Sequence, residues 1–229
     1  MDLVANASTQ KRITVVEVAN AVGINRKTFY NYFEGIDDLT IWIVRYYLKN
    51  MLEGPQFAGL PLVYPDKSLF DPYEDWPFYV RIKTDDHCLS QEKYFRAMAY
   101  HWEENRAYYT NMFHGVGCGY VNLTKYLELL YLPALREDMN YMLNGREMPE
   151  EAMHFLTVYH VVGMFGRLPS HFASTYRSII QDDDEPFWNY THIMLKKTID
   201  SMFEQRVVGS LAPGSTEEKV QDVYTAQLR

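Results

Sequence analysis

Residues 14–39, TVVEVANAVGINRKTFYNYFEGIDDL, leave a chain like this few folds to choose from. Thr14 stands three residues before Glu17, the capping-box spacing in which each side chain satisfies an orphan N–H of a helix's first turn. Val15, Val18, Ala19 and Val22 then recur at helical spacing. Gly23 can adopt the left-handed backbone angle that ends a helix, and Asn25 caps a second one predicted over residues 26–32. Helix, tight turn, helix is the helix-turn-helix arrangement. In such a pair the second helix is short and polar at its start, so it fits the DNA major groove. Arg26 and Lys27 suit the acceptors of guanine, and Asn31, one turn after Thr28, suits adenine. Tyr30 and Tyr32 offer hydroxyls to phosphates, which set register rather than sequence preference, while Phe29 and Phe33 are expected to pack inward.

The run from Gly23 to Phe33, GINRKTFYNYF, followed by Asp37-Asp38-Leu39, resembles the DNA-binding domain of TetR-type bacterial regulators, closest to their DhaS-like branch. The resemblance covers about the first fifth of the chain, and its motifs are specific only there. It implies an all-α fold and a homodimer. Residues 1–53 would form the DNA-binding head with the start of a connecting helix, and residues 54–206 a helical ligand-binding and dimerisation domain. The DNA-facing set it implies is Thr14, Asn25, Arg26, Lys27, Thr28, Tyr30, Asn31 and Tyr32. In the family the last two core helices of each protomer form a four-helix dimer interface. The matching segments here, residues 150–165 and 186–205, place Met153, Leu156, His160, Gly163, Tyr190, Ile193 and Met194 in that interface. Two features depart from the family pattern. Only residues 1–12 precede the pair, with one short apolar group of Leu3, Val4 and Ala5, so the first helix is short or the true start lies upstream. Glu34 and Ile36 stand where the family often carries a phosphate-binding Lys, and each lost phosphate contact weakens affinity and its salt dependence.

Charge constrains this reading. The formal net charge is −8, unlike that of non-specific nucleic-acid binders, so contact with DNA must rest on a local patch. Residues 9–32 supply one, with Lys11, Arg12, Arg26 and Lys27 against Glu17 alone. Cys88 and Cys118 are the only cysteines; they form neither a disulfide framework nor a zinc spacing, and a cytoplasmic setting is expected. No signal peptide is apparent, and the longest apolar runs are too short to span a bilayer.

Beyond the head, Gly35 is expected to cap a helix whose first turn carries Asp37 and Asp38, favoured by the helix dipole, and which ends by Gly54-Pro55. Residues 55–77 carry five prolines yet are rich in Tyr, Phe and Leu, too apolar for a free linker. They read as an irregular arm packed on the helical domain or on the second protomer; a lid over a pocket is the sharper alternative. Helices are predicted over 90–105, 106–114, 120–144 (bent or broken at Pro133), 150–165 and 170–180. Pro169 should kink or end the 150–165 segment, and Asp182 to Pro186 reads as the start of a final helix over 186–205. Residues 115–119, GVGCG, form an interhelical turn rather than a phosphate loop, because no strand precedes them. Residues 207–229 form a tail with a possible short helix carrying Val220, Val223, Tyr224 and Leu228 on one face.

Nothing in the chain supports catalysis. The seven histidines make no metal spacing, no Gly-x-Ser-x-Gly elbow occurs, and neither a cofactor nor a metal is expected. The central helices instead offer Tyr94, Met98, His101, Trp102, Tyr109, Phe113, Tyr126 and Met164, a lining suited to a small, partly aromatic or apolar effector. The same residues also read as plain helical core. The expected function is a transcriptional regulator, with operator DNA, a small-molecule effector and a second copy of the chain as partners. Repression relieved by ligand is the family default. The alternative is a TetR-fold co-regulator that acts through protein contacts.

Overall fold

The computed structural model describes residues 1–7, 12–113, 120–173 and 180–204. The 115–119 turn with Cys118, the cation Lys11 and the 207–229 tail lie outside the described residues. The chain is predominantly helical. A short α1 (Asp2–Ala5) precedes α2 (Val15–Ala21) and α3 (Arg26–Tyr30), and α4 (Ile36–Leu52) leads from this pair into the larger part of the molecule. That part consists of α5 (Glu92–Glu104), α6 (Arg106–Phe113), α7 (Tyr120–Leu143), α8 (Glu150–Gly166), α9 (Leu168–Ala173) and α10 (Ile180–Phe203). Pairing of α5 with α10 and of α7 with α8 builds the core, and α4 lies across α7. No described helix is long and apolar enough to cross a membrane.

α1 does not simply underlie the α2–α3 pair. It packs on α6, where the Asn111 side-chain amide donates to the carbonyls of Val4 (2.8 Å) and Ala5 (3.0 Å). A helix this short satisfies almost none of its own backbone groups, so these side-chain bonds fix its position.

The 55–77 arm is held by its own chain. It contains two short turns of 3₁₀ helix and β1 (Leu62–Val63), which pairs antiparallel with β2 (Tyr79–Val80). Sequence periodicity did not foresee this ribbon, because its strands are two residues long, too short to show alternation. Arg45, on α4, is fully buried and clamps the arm. Its guanidinium donates to the carbonyls of Tyr73 (3.0 Å) and Trp76 (2.6 Å) and to the Tyr126 hydroxyl of α7 (2.9 Å), and it lies 3.5 Å from the Asp71 carboxylate.

One helix boundary differs from the sequence reading. α10 begins at Ile180, so the acids at 182–185 and Pro186 lie inside it rather than opening it. A long helix packed against α5 tolerates the one hydrogen bond that the proline removes. α7 covers the expected 120–144 segment and is not broken at Pro133; the carbonyl left without its helical donor belongs to Leu129, which is exposed. α9 covers the start of the segment expected over 170–180, with Pro169 in its first turn, where a missing N–H costs nothing; residues 174–179 lie outside the described residues.

Candidate nucleic-acid interface

Local hydrogen bonds build the α2–α3 pair. Glu17 N–H donates to Thr14 Oγ1 (3.3 Å), and Glu17 Oε2 accepts from the Thr14 N–H and hydroxyl (2.9 Å each), completing the capping box. Gly23 takes φ +71° in the turn. Asn25 Oδ1 accepts from the Thr28 N–H (2.8 Å) and hydroxyl (3.2 Å), so both side chains are engaged in starting α3. Phe29 is buried and packs against the tilted ring of Phe33, with ring centroids 5.4 Å apart, while Ala19 of α2 is buried as well.

With Phe29 as the inward anchor, the opposite face of α3 is solvent-facing. Arg26, Lys27, Tyr30, Asn31 and Tyr32 are exposed, Tyr32 to 75 %. Neither Arg26 nor Lys27 has an ion-pair partner among the described residues; the Arg26 guanidinium lies 5.9 Å from the Tyr30 ring centroid, a cation–π distance. Arg12 is also exposed. Thr14, Asn25 and Thr28, which the sequence also placed at the DNA, have their side chains occupied by the caps. The first turn of α4 adds negative charge through Asp37 and Asp38, and Asp38 accepts the Glu34 N–H at 3.1 Å.

A continuous aromatic path leads from this face to the arm. Phe33 meets Trp42, which stacks on Tyr46 at 4.8 Å; Tyr46 meets Trp76 of the arm, and Trp76 stacks on Tyr73. The Arg45 clamp then ties the same arm to α7.

The residues expected to line an effector pocket fall into three places. His101, Trp102, Tyr109 and Phe113 gather near Phe172 of α9, whose ring lies 5.3–6.5 Å from those of Trp102, Tyr109 and Phe113. His101 Nε2 lies 2.9 Å from the Tyr109 hydroxyl, Nδ1 accepts from the Asn105 amide (3.1 Å), and the ring stacks on Tyr47 at 3.3 Å. Burial pushes His101 down to about 4 and the Tyr109 hydroxyl up. Tyr94 belongs to a different group, donating to the Phe78 carbonyl at 2.8 Å beside Tyr79 and Tyr131. Tyr126 joins Arg45 and Asp71, and Met98 and Met164 are buried core. Phe172 lies in the helix predicted over 170–180 but is not among the expected lining residues, because that short segment gives no sign that it packs on α5 and α6.

Outer faces of α8 and α10 border a groove of about 980 Å³ lined by Ala152, Phe155, Leu156, Met194, Thr198 and Met202. Of the residues expected at a dimer interface, Leu156 and Met194 line it, and Gly163 is exposed with open space where a Cβ would stand. Ile193 is exposed beside a different cavity, and His160 is half-buried with Nδ1 donating to the Leu156 carbonyl. Met153 is buried in the chain's own core, and the Tyr190 side chain lies outside the described residues. Phe155 and Tyr159, each 64 % exposed and stacked 6.0 Å apart, continue the face toward the exposed Val162. Their spacing is helical, so the same periodicity that located α8 could have found them.

No group of His, Cys, Asp or Glu able to hold a metal occurs among the described residues. No family model matches the chain, and no curated protein matches it. Among solved structures the chain is similar to one described as "Dihydroxyacetone kinase operon activator DhaS", with 15% sequence identity over 87% of this chain and 90% of that one and a TM-score of 0.48.

Proposed function

We propose that this chain is a homodimeric, DNA-binding transcriptional regulator of the TetR type, with residues 1–53 as its reading head and 54–206 as its effector-binding and dimerising body. The observation that carries the reading is the capped, short α3 that buries Phe29 and holds Arg26 and Lys27 in solvent without ion-pair partners. Two such helices in a dimer would enter successive major grooves of a near-palindromic site. An effector in the body that favours one spacing of the heads releases the DNA, and the shift is bounded by its differential affinity for the two states.

Fluorescence anisotropy on the DNA flanking the gene tests the reading. Binding should weaken with salt, and Arg26→Ala and Lys27→Ala should each cost about 1–3 kcal/mol, roughly tenfold or more in Kd. If neither substitution changes binding, α3 is not the reading helix.

The dimer contact is assigned to the exposed apolar face of α8 and α10. Phe155→Asp or Tyr159→Asp in this face should raise the dimer Kd by about 2 kcal/mol or more, which sedimentation velocity reads as a shift to monomer on dilution. A dimer that survives both changes has its interface elsewhere.

A second reading, a co-regulator acting through protein contacts, draws on Glu34, Asp37 and Asp38, which place acid beside the few exposed cations of the head. It predicts no specific DNA complex at physiological salt and a stable complex with another regulator.

A further inference from the structure

α1 packs on α6, and α2 packs on α3. Where α1, α2, α4 and α6 converge, a cavity of about 230 Å³ is left between them. Ile13, Thr40 and Tyr108 form its floor and are buried. Val18 of α2 and Ile43 of α4 wall it and are half-buried, and Val22 is exposed at its rim. The space is therefore enclosed by four helices and opens on one side.

The lining defines what can occupy it. Asp2 is the one charged side chain among the lining residues, and it is exposed. The two hydroxyls on the floor serve the protein itself: Thr40 Oγ1 donates to the Ile36 carbonyl (2.9 Å), and the Tyr108 hydroxyl is hydrogen-bonded to Thr40. Every other lining side chain is apolar. A water held inside needs two or more polar partners, and this floor has no side-chain donor to spare. Left empty, the space forfeits dispersion contacts along its whole wall. Apolar cavities of about 150 Å³ stay free of water and take up a benzene-sized guest, so this one has room for a substituted ring.

We infer that this cavity binds a compact apolar molecule the size of a substituted benzene, held between α2 on one side and α4 and α6 on the other. Because the guest touches both sides, its occupation fixes how the α2–α3 pair sits on the rest of the molecule. An effect on DNA affinity follows only if that pair reads DNA as proposed above; binding itself does not depend on it.

Nuclear magnetic resonance titration of the full chain with toluene and pyrazine tests this. Toluene should bind saturably below its solubility limit and show Overhauser contacts to the Ile43 and Leu39 methyls and the Tyr108 ring. Pyrazine, a similar ring with an acceptor nitrogen at each end, should bind at least about tenfold more weakly, because one nitrogen must be buried without a donor. Ile43→Trp from α4 and Val18→Phe from α2 each fill the space, and each should weaken toluene about tenfold or more while the melting temperature holds or rises. Toluene at about ten times its Kd should slow amide exchange across α2 about tenfold. Absence of saturable binding would overturn the inference. So would Overhauser contacts to Phe155 and Met194 of the α8–α10 groove in place of Ile43, a result that requires neither variant to fold. Binding that both substitutions leave unchanged, or that leaves exchange in α2 as fast as before, would overturn it too.

Discussion

Arg45→Met should destabilise the protein by about 3–5 kcal/mol, the cost of removing one partner from a buried, hydrogen-bonded charge cluster. The substitution keeps most of the side chain's volume, so the effect isolates the guanidinium rather than a cavity. Without it the Tyr73 and Trp76 carbonyls lose their donors, and Asp71, itself nearly fully buried, loses its counter-charge. Asp71 would keep only the Tyr73 N–H (2.7 Å) and the Tyr126 hydroxyl. Lysine cannot substitute, because one ammonium cannot reach two carbonyls, a phenol and a carboxylate in the directions a planar guanidinium serves. Arg45→Lys should therefore also lose more than half of the stability that Arg45→Met loses. Urea denaturation followed by circular dichroism gives the difference directly, and thermal melts should fall by about 10 °C. A loss under about 1 kcal/mol for Arg45→Met would show that the arm is held by its aromatic contacts instead. Because Arg45 lies on the helix that leaves the reading head, the same substitution should expose the 66–76 segment to proteolysis while leaving α2 and α3 intact.

The second large effect is a loss of stability in mild acid, traced to His101. Its ordinary value of 6.5 is pushed down to about 4 by burial. Above pH 6.5 the ring is neutral in both folded and unfolded chains, and its contribution to stability is complete. As pH falls from 6.5 to 4, the unfolded chain takes up a proton that the folded chain refuses, so stability declines. By pH 4 the accumulated loss is about 3 kcal/mol, and below that the folded ring is protonated as well and this source of loss ends. The geometry explains the resistance to protonation: Nδ1 already accepts from the Asn105 amide and Tyr47 covers the ring face, so a second N–H would point at a donor. His101→Gln should flatten the slope of unfolding free energy against pH between 7 and 5. His160, also lowered by burial, leaves a smaller slope of the same sign. If the slope is the same in wild type and His101→Gln, the ring is not the group that titrates.

Much of the head was legible in the sequence. The Thr14–Glu17 box, the Asn25 cap and the Gly23 turn all form as their spacing predicts, and Phe29 buries while Arg26 and Lys27 face solvent. The misreadings fall where local preference competes with packing. Asp182 to Pro186 carries the chemistry of a helix start yet lies inside α10. Arg45 interrupts an apolar stretch in the sequence, and no local signal marks it as the buried centre of the arm's attachment. The expected effector-pocket residues, chosen by type, separate among a His101–Phe172 group, a Tyr94–Tyr131 group and the Arg45 cluster.

Interactions spanning three or four residues determined the α2–α3 unit, because a capping side chain and the N–H it satisfies belong to the same turn of backbone and need nothing distant. The Arg45 bonds span 28, 31 and 81 residues. Only the folded chain brings such groups together. Whether a buried charge finds partners depends on how distant segments pack, and no local pattern of residues records that.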